Sequence, residues 1–206
     1  MPDDVILYGA RTGNCLRVAI ALEELGIAYR TAALHLRAGE QRTHAFLSLN
    51  PLGKVPVLQV RSPGSTSLVI AQSNAILLYL AKRAGGTLLS LEEDVYSPLA
   101  LERFLFFVTD VIAPNHASFF LRSEGCDEGR RLMEQRSLDA LLASEGFLEN
   151  AQFMAGQSFT LADITAATIV AALSSSIDWT EHPRLRRWFA SVMARPGVKR
   201  GMTAFD

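Results

Sequence analysis

Residues 50–58 read Asn50-Pro51-Leu52-Gly53-Lys54-Val55-Pro56-Val57-Leu58, a loop that ends on a proline and opens directly into an apolar run. Two conformations compete at Val55-Pro56. A cis bond before proline costs only about 0.5–1 kcal/mol, against about 2.5–4 kcal/mol elsewhere, so the bond is a candidate cis peptide; the alternative is an ordinary turn proline. A cis bond at the mouth of a strand would turn the Val55 N–H and C=O toward solvent. An extended peptide could then pair with them as an added strand.

Working outward, Val57–Val60 and Leu68–Ala71 are strand candidates joined by Ser62-Pro63-Gly64-Ser65, a strong turn signal. The join is too short for a crossover, so the pair is antiparallel. Upstream, Val5-Ile6-Leu7-Tyr8 is a continuous apolar run, as expected of a strand buried on both faces. Gly9 to Gly13 is a loop, and Asn14 to Leu25 has a helical period. Val18, Ala21, Leu22 and Leu25 form the stripe, Arg17 and Glu24 are expected to point away from it, and Gly26 stops the helix. Tyr29 to Leu34 returns as a parallel strand through a right-handed crossover. Glu40 to Leu49 is a short helical segment. Ser73 to Lys82 is a helix whose middle, Ala75 to Leu80, is apolar all round and needs cover on both sides. The order βαβ–α–ββα gives a four-stranded mixed sheet, the layout of a thioredoxin-like domain.

After Ala84-Gly85-Gly86 the strand patterns cease. Residues 84–93 read as a linker, and helical periodicity dominates from there: Asp94–Leu121, Glu128–Glu149, Leu161–Leu173 and Arg184–Val192. Thr160-Leu161-Ala162-Asp163 is a capping box, with Phe159 and Ile164 placed as its hydrophobic staple. Pro183 suits the first position of the last of these helices. The fold class expected is therefore α/β plus all-α. Residues 1–83 form the thioredoxin-like domain and residues 94–206 an all-helical one.

Bulk properties narrow the function classes. The chain has 206 residues, about half of them apolar, and a formal net charge of −1, which excludes the electrostatic footprint of a nucleic-acid or acidic-membrane binder. No apolar stretch is expected to reach the roughly 18 residues that a membrane span needs. The start, Met1-Pro2-Asp3-Asp4, is neither a signal nor a transit peptide. Cys15 and Cys126 are in no metal-ligand spacing and the four histidines form no HExxH pattern, so no metal is expected and the compartment expected is the reducing cytoplasm.

Three motifs carry a resemblance. Residues 50–58 resemble the loop-to-strand signature of glutathione S-transferases. Ala71-Gln72-Ser73-Asn74-Ala75-Ile76-Leu77-Leu78-Tyr79-Leu80 is similar to their second signature. Leu7-Tyr8, Thr12-Gly13-Asn14-Cys15 and Ile20 to Gly26 resemble their first strand, catalytic loop and first helix, and the Thr160 capping box sits as in that family. The resemblance spans nearly the whole chain and implies glutathione as co-substrate. It implies the cis form at Val55-Pro56, with Val55 gripping the tripeptide main chain. Ser73 and Gln72 would take the γ-glutamyl end, since a helix N-terminus favours anions. Arg42 and Lys54 would take the glycyl carboxylate, with Gln41 a weaker candidate. The resemblance also implies a cytoplasmic homodimer.

Glutathione chemistry needs the thiolate. A free thiol titrates near pH 8.5, so ionising most of it at pH 7 needs about 3 kcal/mol. One hydrogen bond to a charged acceptor supplies about 1.5–3 kcal/mol, and a helix N-terminus adds about 0.3–1 kcal/mol. A single donor at the start of the first helix is nearly sufficient. Thr12 matches the hydroxyl residue of phi-like and nu-like classes and is the donor chosen, with Asn14 assisting; Gly13 replaces the proline of the nu-like Thr-Pro-Asn pattern. Cys15, one residue past the beta-like cysteine, and Tyr8, alignable with the tyrosine of animal classes, remain open, and Arg11 is placed to line the mouth. An apolar acceptor wall is expected from Phe106, Phe107, Val111, Asn115, Phe119 and Phe120. The leading function is conjugation of glutathione to small apolar electrophiles. The alternatives are a glutathione-dependent disulfide reductase and a non-catalytic interaction protein.

Overall fold

The computed structural model describes residues 4–62, 64, 66–89 and 98–206. The expected start at Met1-Pro2-Asp3, the centre of the Ser62–Ser65 turn, and residues 90–97 of the linker and first long helix lie outside the described residues.

The chain forms two compact units, Met1–Gly85 with Arg195–Asp206, and Gly86–Ala194. The first holds a four-stranded sheet of order β2-β1-β3-β4, from β1 (Asp4–Gly9), β2 (Arg30–Ala33), β3 (Val57–Arg61) and β4 (Leu68–Ala71). β2 runs parallel to β1, while β3 and β4 are antiparallel to their neighbours. The central strands are the apolar runs read from the sequence: Val5, Ile6, Leu7, Val57, Leu58 and Val60 are all buried. The mixed sheet and the helical second unit match the expected fold class.

Helix α1 (Gly13–Glu24) departs from its expected exposure. Arg17 is only 3% exposed, and its Nε donates to the Gly13 carbonyl 3.3 Å away. Glu24 pairs with Arg195 and Glu23 with Arg200. Glu23 and Glu24 face a helix that sequence reading passed over, α9 (Pro196–Met202), which packs along α1. Gly201 makes the close approach possible: a Cβ there would lie 2.5 Å from the Cα of Ile20. The last residues of the expected 94–206 domain thus pack with the first unit instead. In α3 (Ser73–Arg83), Ile76, Leu77, Leu80 and Ala81 are buried but Leu78 and Ala75 are exposed, so the chain itself covers only one side of this helix.

The second unit is helical among its described residues. α4 (Pro98–Phe106) continues through a π-helical segment, Phe107–Ile112, into α5 (Ala113–Ser123). By length and composition, Pro98–Ser123 could cross a membrane. Glu102, Arg103, Asp110 and Arg122 lie within it, and Phe104, Phe107, Val111 and Ile112 are buried where it packs on α6 (Asp127–Ala143) and α7 (Leu161–Leu173). The capping box forms as read at the start of α7. Asp163 is fully buried; its Oδ1 accepts from the Met154 amide and from Trp188 Nε1 of α8 (Pro183–Ala194), and its Oδ2 from the Thr160 amide and hydroxyl. Burial pushes this carboxyl up, against the pull of the hydrogen bonds it accepts.

Asp163→Asn replaces an acceptor oxygen with a donor that faces two N–H groups or an N–H and a hydroxyl. It should lower unfolding free energy by about 3 kcal/mol, the cost of leaving buried donors unmatched. Urea unfolding followed by tryptophan fluorescence measures this, and a loss under about 1 kcal/mol would contradict the network described.

Candidate functional site

Strand register brings the expected site segments together. Tyr8 pairs with Val57, and Val57 with Ala71. The residues just past β1, just before β3 and just after β4 therefore share one end of the sheet. The chain leaving β2 joins them, since the Leu34 amide donates to the Gly9 carbonyl (2.8 Å). Ala10–Asn14, Val55-Pro56 and Gln72-Ser73 all lie at this end.

The Val55-Pro56 bond is cis, as read. Neither the amide nor the carbonyl of Val55 makes a backbone hydrogen bond among the described residues, so both are available to a ligand. The loop before it is held by a residue that sequence reading missed. Asn50 is buried; its Nδ2 donates to the Lys54 carbonyl (2.7 Å) and its Oδ1 accepts from the Leu52 amide (3.2 Å). Asparagine before proline is a turn-initiating pair whose side chain bonds its own backbone two residues on, and this was the available signal. Gly53 has φ +60°, and a Cβ there would sit 2.9 Å from the Gln41 carbonyl and 3.3 Å from the Arg42 Cδ. This contact sets the Lys54 loop against the short 3-10 turn Glu40–Arg42. Arg42 and Lys54 are exposed, and neither cation has an ion pair or side-chain hydrogen bond among the described residues.

Gln72 precedes α3 with φ +82°, a left-handed conformation that costs a non-glycine residue about 1–3 kcal/mol and often marks a ligand clamp. Its Oε1 accepts from the Asn74 amide (2.8 Å), capping the helix. Ser73 opens α3 and is almost wholly buried.

The rivals for the catalytic position separate by environment. Thr12 is the N-cap of α1; its Oγ1 accepts from the Cys15 amide (3.4 Å) and lies 3.2 Å from the Cys15 Sγ, to which it can donate. Asn14 is half-buried in the first turn of α1. Cys15 is 0% exposed, packed behind Gly9 and Phe205. Burial pushes its thiol pKa up, opposed by hydrogen bonds from Thr12 and Ala10 and by the Arg17 charge. Burial also pulls Arg17 down to about 10. Tyr8 turns away: its hydroxyl donates to Gln59 Oε1 (3.1 Å) and its ring meets Phe46 of α2 (His44–Leu47) edge-on. Arg11 pairs with Asp206 (3.3 Å).

Of the expected acceptor wall, Phe107 and Val111 are core residues of the helical unit, and Phe106 packs edge-on against Phe107 and Phe147. Phe119 and Phe120 are exposed, and Asn115 and Phe119 line a cleft. Among the described residues no three of His, Cys, Asp and Glu group as metal ligands.

Residues 3–82 match the N-terminal domain of glutathione S-transferases and residues 119–196 the C-terminal domain. Disulfide-bond oxidoreductase YfcG of Escherichia coli (strain K12) is 29% identical, over 93% of this chain and 91% of that protein. Glutathione S-transferase GstB of the same strain is 26% identical, over 95% and 96%. A solved glutathione transferase family member from Pseudomonas fluorescens pf-5, with two glutathione bound, superposes with a TM-score of 0.83 at 25% identity, covering 96% of this chain and 92% of that one. Two domain matches in order, the thioredoxin-like sheet and the helical unit lead to one conclusion: the chain belongs to the glutathione S-transferase family.

Proposed function

We propose that this protein binds glutathione at the shared sheet end and transfers its thiolate to small apolar electrophiles. The observation that carries the reading is the Val55 amide and carbonyl, left without backbone partners at the cis-prolyl mouth of β3. An extended peptide satisfies both as an added strand would. In this reading the γ-glutamyl carboxylate meets the Ser73 amide and hydroxyl at the start of α3, with Gln72 beside the ammonium, and the glycyl carboxylate meets Arg42 and Lys54. Glutathione bound in the Pseudomonas fluorescens relative supports the ligand. Residues 1–83 serve as the glutathione-binding domain, and the working form is a cytoplasmic homodimer.

Thr12 acts as the thiolate donor, with Asn14 assisting. Its hydroxyl can donate to the neutral Cys15 sulfur in the free protein, and a thiolate is a much stronger acceptor, so ligand binding turns the rotor outward. Cys15 takes no part, because burial holds it as a thiol. A second reading, glutathione-dependent disulfide reduction, is favoured by the similarity to YfcG and by the Thr12-Gly13-Asn14 loop.

Three measurements test this. Thr12→Ala should lower kcat/KM by about 10- to 100-fold, the worth of one hydrogen bond to a charged acceptor. Assaying chlorodinitrobenzene conjugation beside hydroxyethyl disulfide reduction identifies the chemistry, and unchanged rates in both would remove Thr12 from the mechanism. Ser73→Ala should weaken retention on immobilised glutathione by about tenfold; undiminished retention would displace the helix mouth from the site. Titration with a thiol-reactive disulfide should modify one cysteine per native chain, the exposed Cys126, and two after denaturation. Rapid native modification of Cys15 would revive the mixed-disulfide mechanism.

A further inference from the structure

We propose that a cleft within the helical unit is a binding site for a small aromatic carboxylate. The cleft measures about 520 Å³ and lies among α5, α6 and the end of α7. That is within the range of about 300–1,000 Å³ typical of small-molecule sites. Its whole lining belongs to Gly86–Ala194, so the claim does not depend on glutathione binding in the other unit.

The lining has two characters. Phe119 is 56% exposed and, with the Arg122 guanidinium over one face of its ring (5.7 Å from the centroid), offers aromatic surface, to which Leu138 and Leu173 add further apolar surface. Against it stand Arg122, Arg130 and Arg131, with Glu134 the single carboxylate. Glu134 is shared: Arg122 donates to its Oε1 (3.2 Å) and Arg130 to its Oε2 (2.7 Å). Arg130 also reaches Asp127, outside the cleft. Three cations against Glu134 and Asp127 leave an excess of one positive charge. The excess sits on Arg131, whose guanidinium has no ion pair or side-chain hydrogen bond among the described residues.

A cleft lined by an unpaired guanidinium and an exposed aromatic ring selects its ligand by chemistry. A carboxylate takes two parallel N–H donors from arginine, and a flat ring stacks on the phenylalanine. A neutral aromatic gains only the second contact. A hydrophilic anion gains only the first, on an exposed side chain where it is worth little. The occupant that uses both is an aromatic ring bearing one carboxylate.

Isothermal titration of the full chain, in low salt without glutathione, with 2-naphthoate and its uncharged isostere 2-naphthamide tests this. Naphthoate should bind one site per chain about fivefold more tightly than the amide. Arg131→Gln should abolish that preference, Arg131→Lys should retain part of it, and Phe119→Ala should weaken both ligands alike. Circular dichroism confirms folding, and neither side chain is buried. No saturable binding up to millimolar ligand, equal affinity for acid and amide, or a preference that survives Arg131→Gln would each overturn the proposal. Loss of glutathione retention with naphthoate binding intact would count against the catalytic reading alone.

Discussion

The antiparallel pairing of β3 with β1 is the constraint on which the site depends. It sets Val57 opposite Tyr8, and the β3–β4 ladder sets Ala71 opposite Val57. A register slip of one residue would exchange the two faces of these strands and break the packing of each. Burial of Val5, Leu7, Leu58 and Val60 therefore locks the alignment. Once it is locked, the loop before α1, the cis-prolyl loop and the mouth of α3 have nowhere else to be. The segments Ala10–Asn14, Val55-Pro56 and Gln72-Ser73, far apart in sequence, become neighbours through hydrophobic burial of the strands between them.

The loops carry the polarity that the sheet cannot. Asn50 closes the turn before Pro56 through its own amide, and Gly53 lets the Lys54 loop lie against Gln41 and Arg42. The strained backbone at Gln72 is held by its side-chain bond to the helix it precedes. These local devices hold the Val55 amide and carbonyl, the Ser73 helix end and two exposed cations, unpaired among the described residues, at one sheet end.

Around α1 the electrostatics divide two adjacent residues by burial. Thr12 stays half-buried at the cap, while Cys15 sits behind Gly9 and Phe205 with its thiol pushed up by desolvation. Phe205 lies in the C-terminal segment, and α9 reaches α1 only because Gly201 presents no side chain to Ile20.

The element order of the sheet domain, the mixed sheet, the cis proline, the capping box and the family were legible in the amino-acid sequence, because each rests on local periodicity or on a short motif with its own backbone chemistry; the closing helix α9 was not. The exposure of individual side chains was not. Arg17 and Glu24 read as solvent-facing by their place on the α1 wheel, yet Arg17 is buried and Glu24 meets Arg195 of the C-terminal segment. Tyr8 and Cys15 read as rivals of Thr12, and only packing turned one toward Gln59 and buried the other. The sharing of Glu134 between Arg122 and Arg130 likewise emerges only when α5 and α6 lie side by side. Local conformation follows from neighbours in sequence; burial and pairing follow from neighbours in space, and those exist only once the chain has folded.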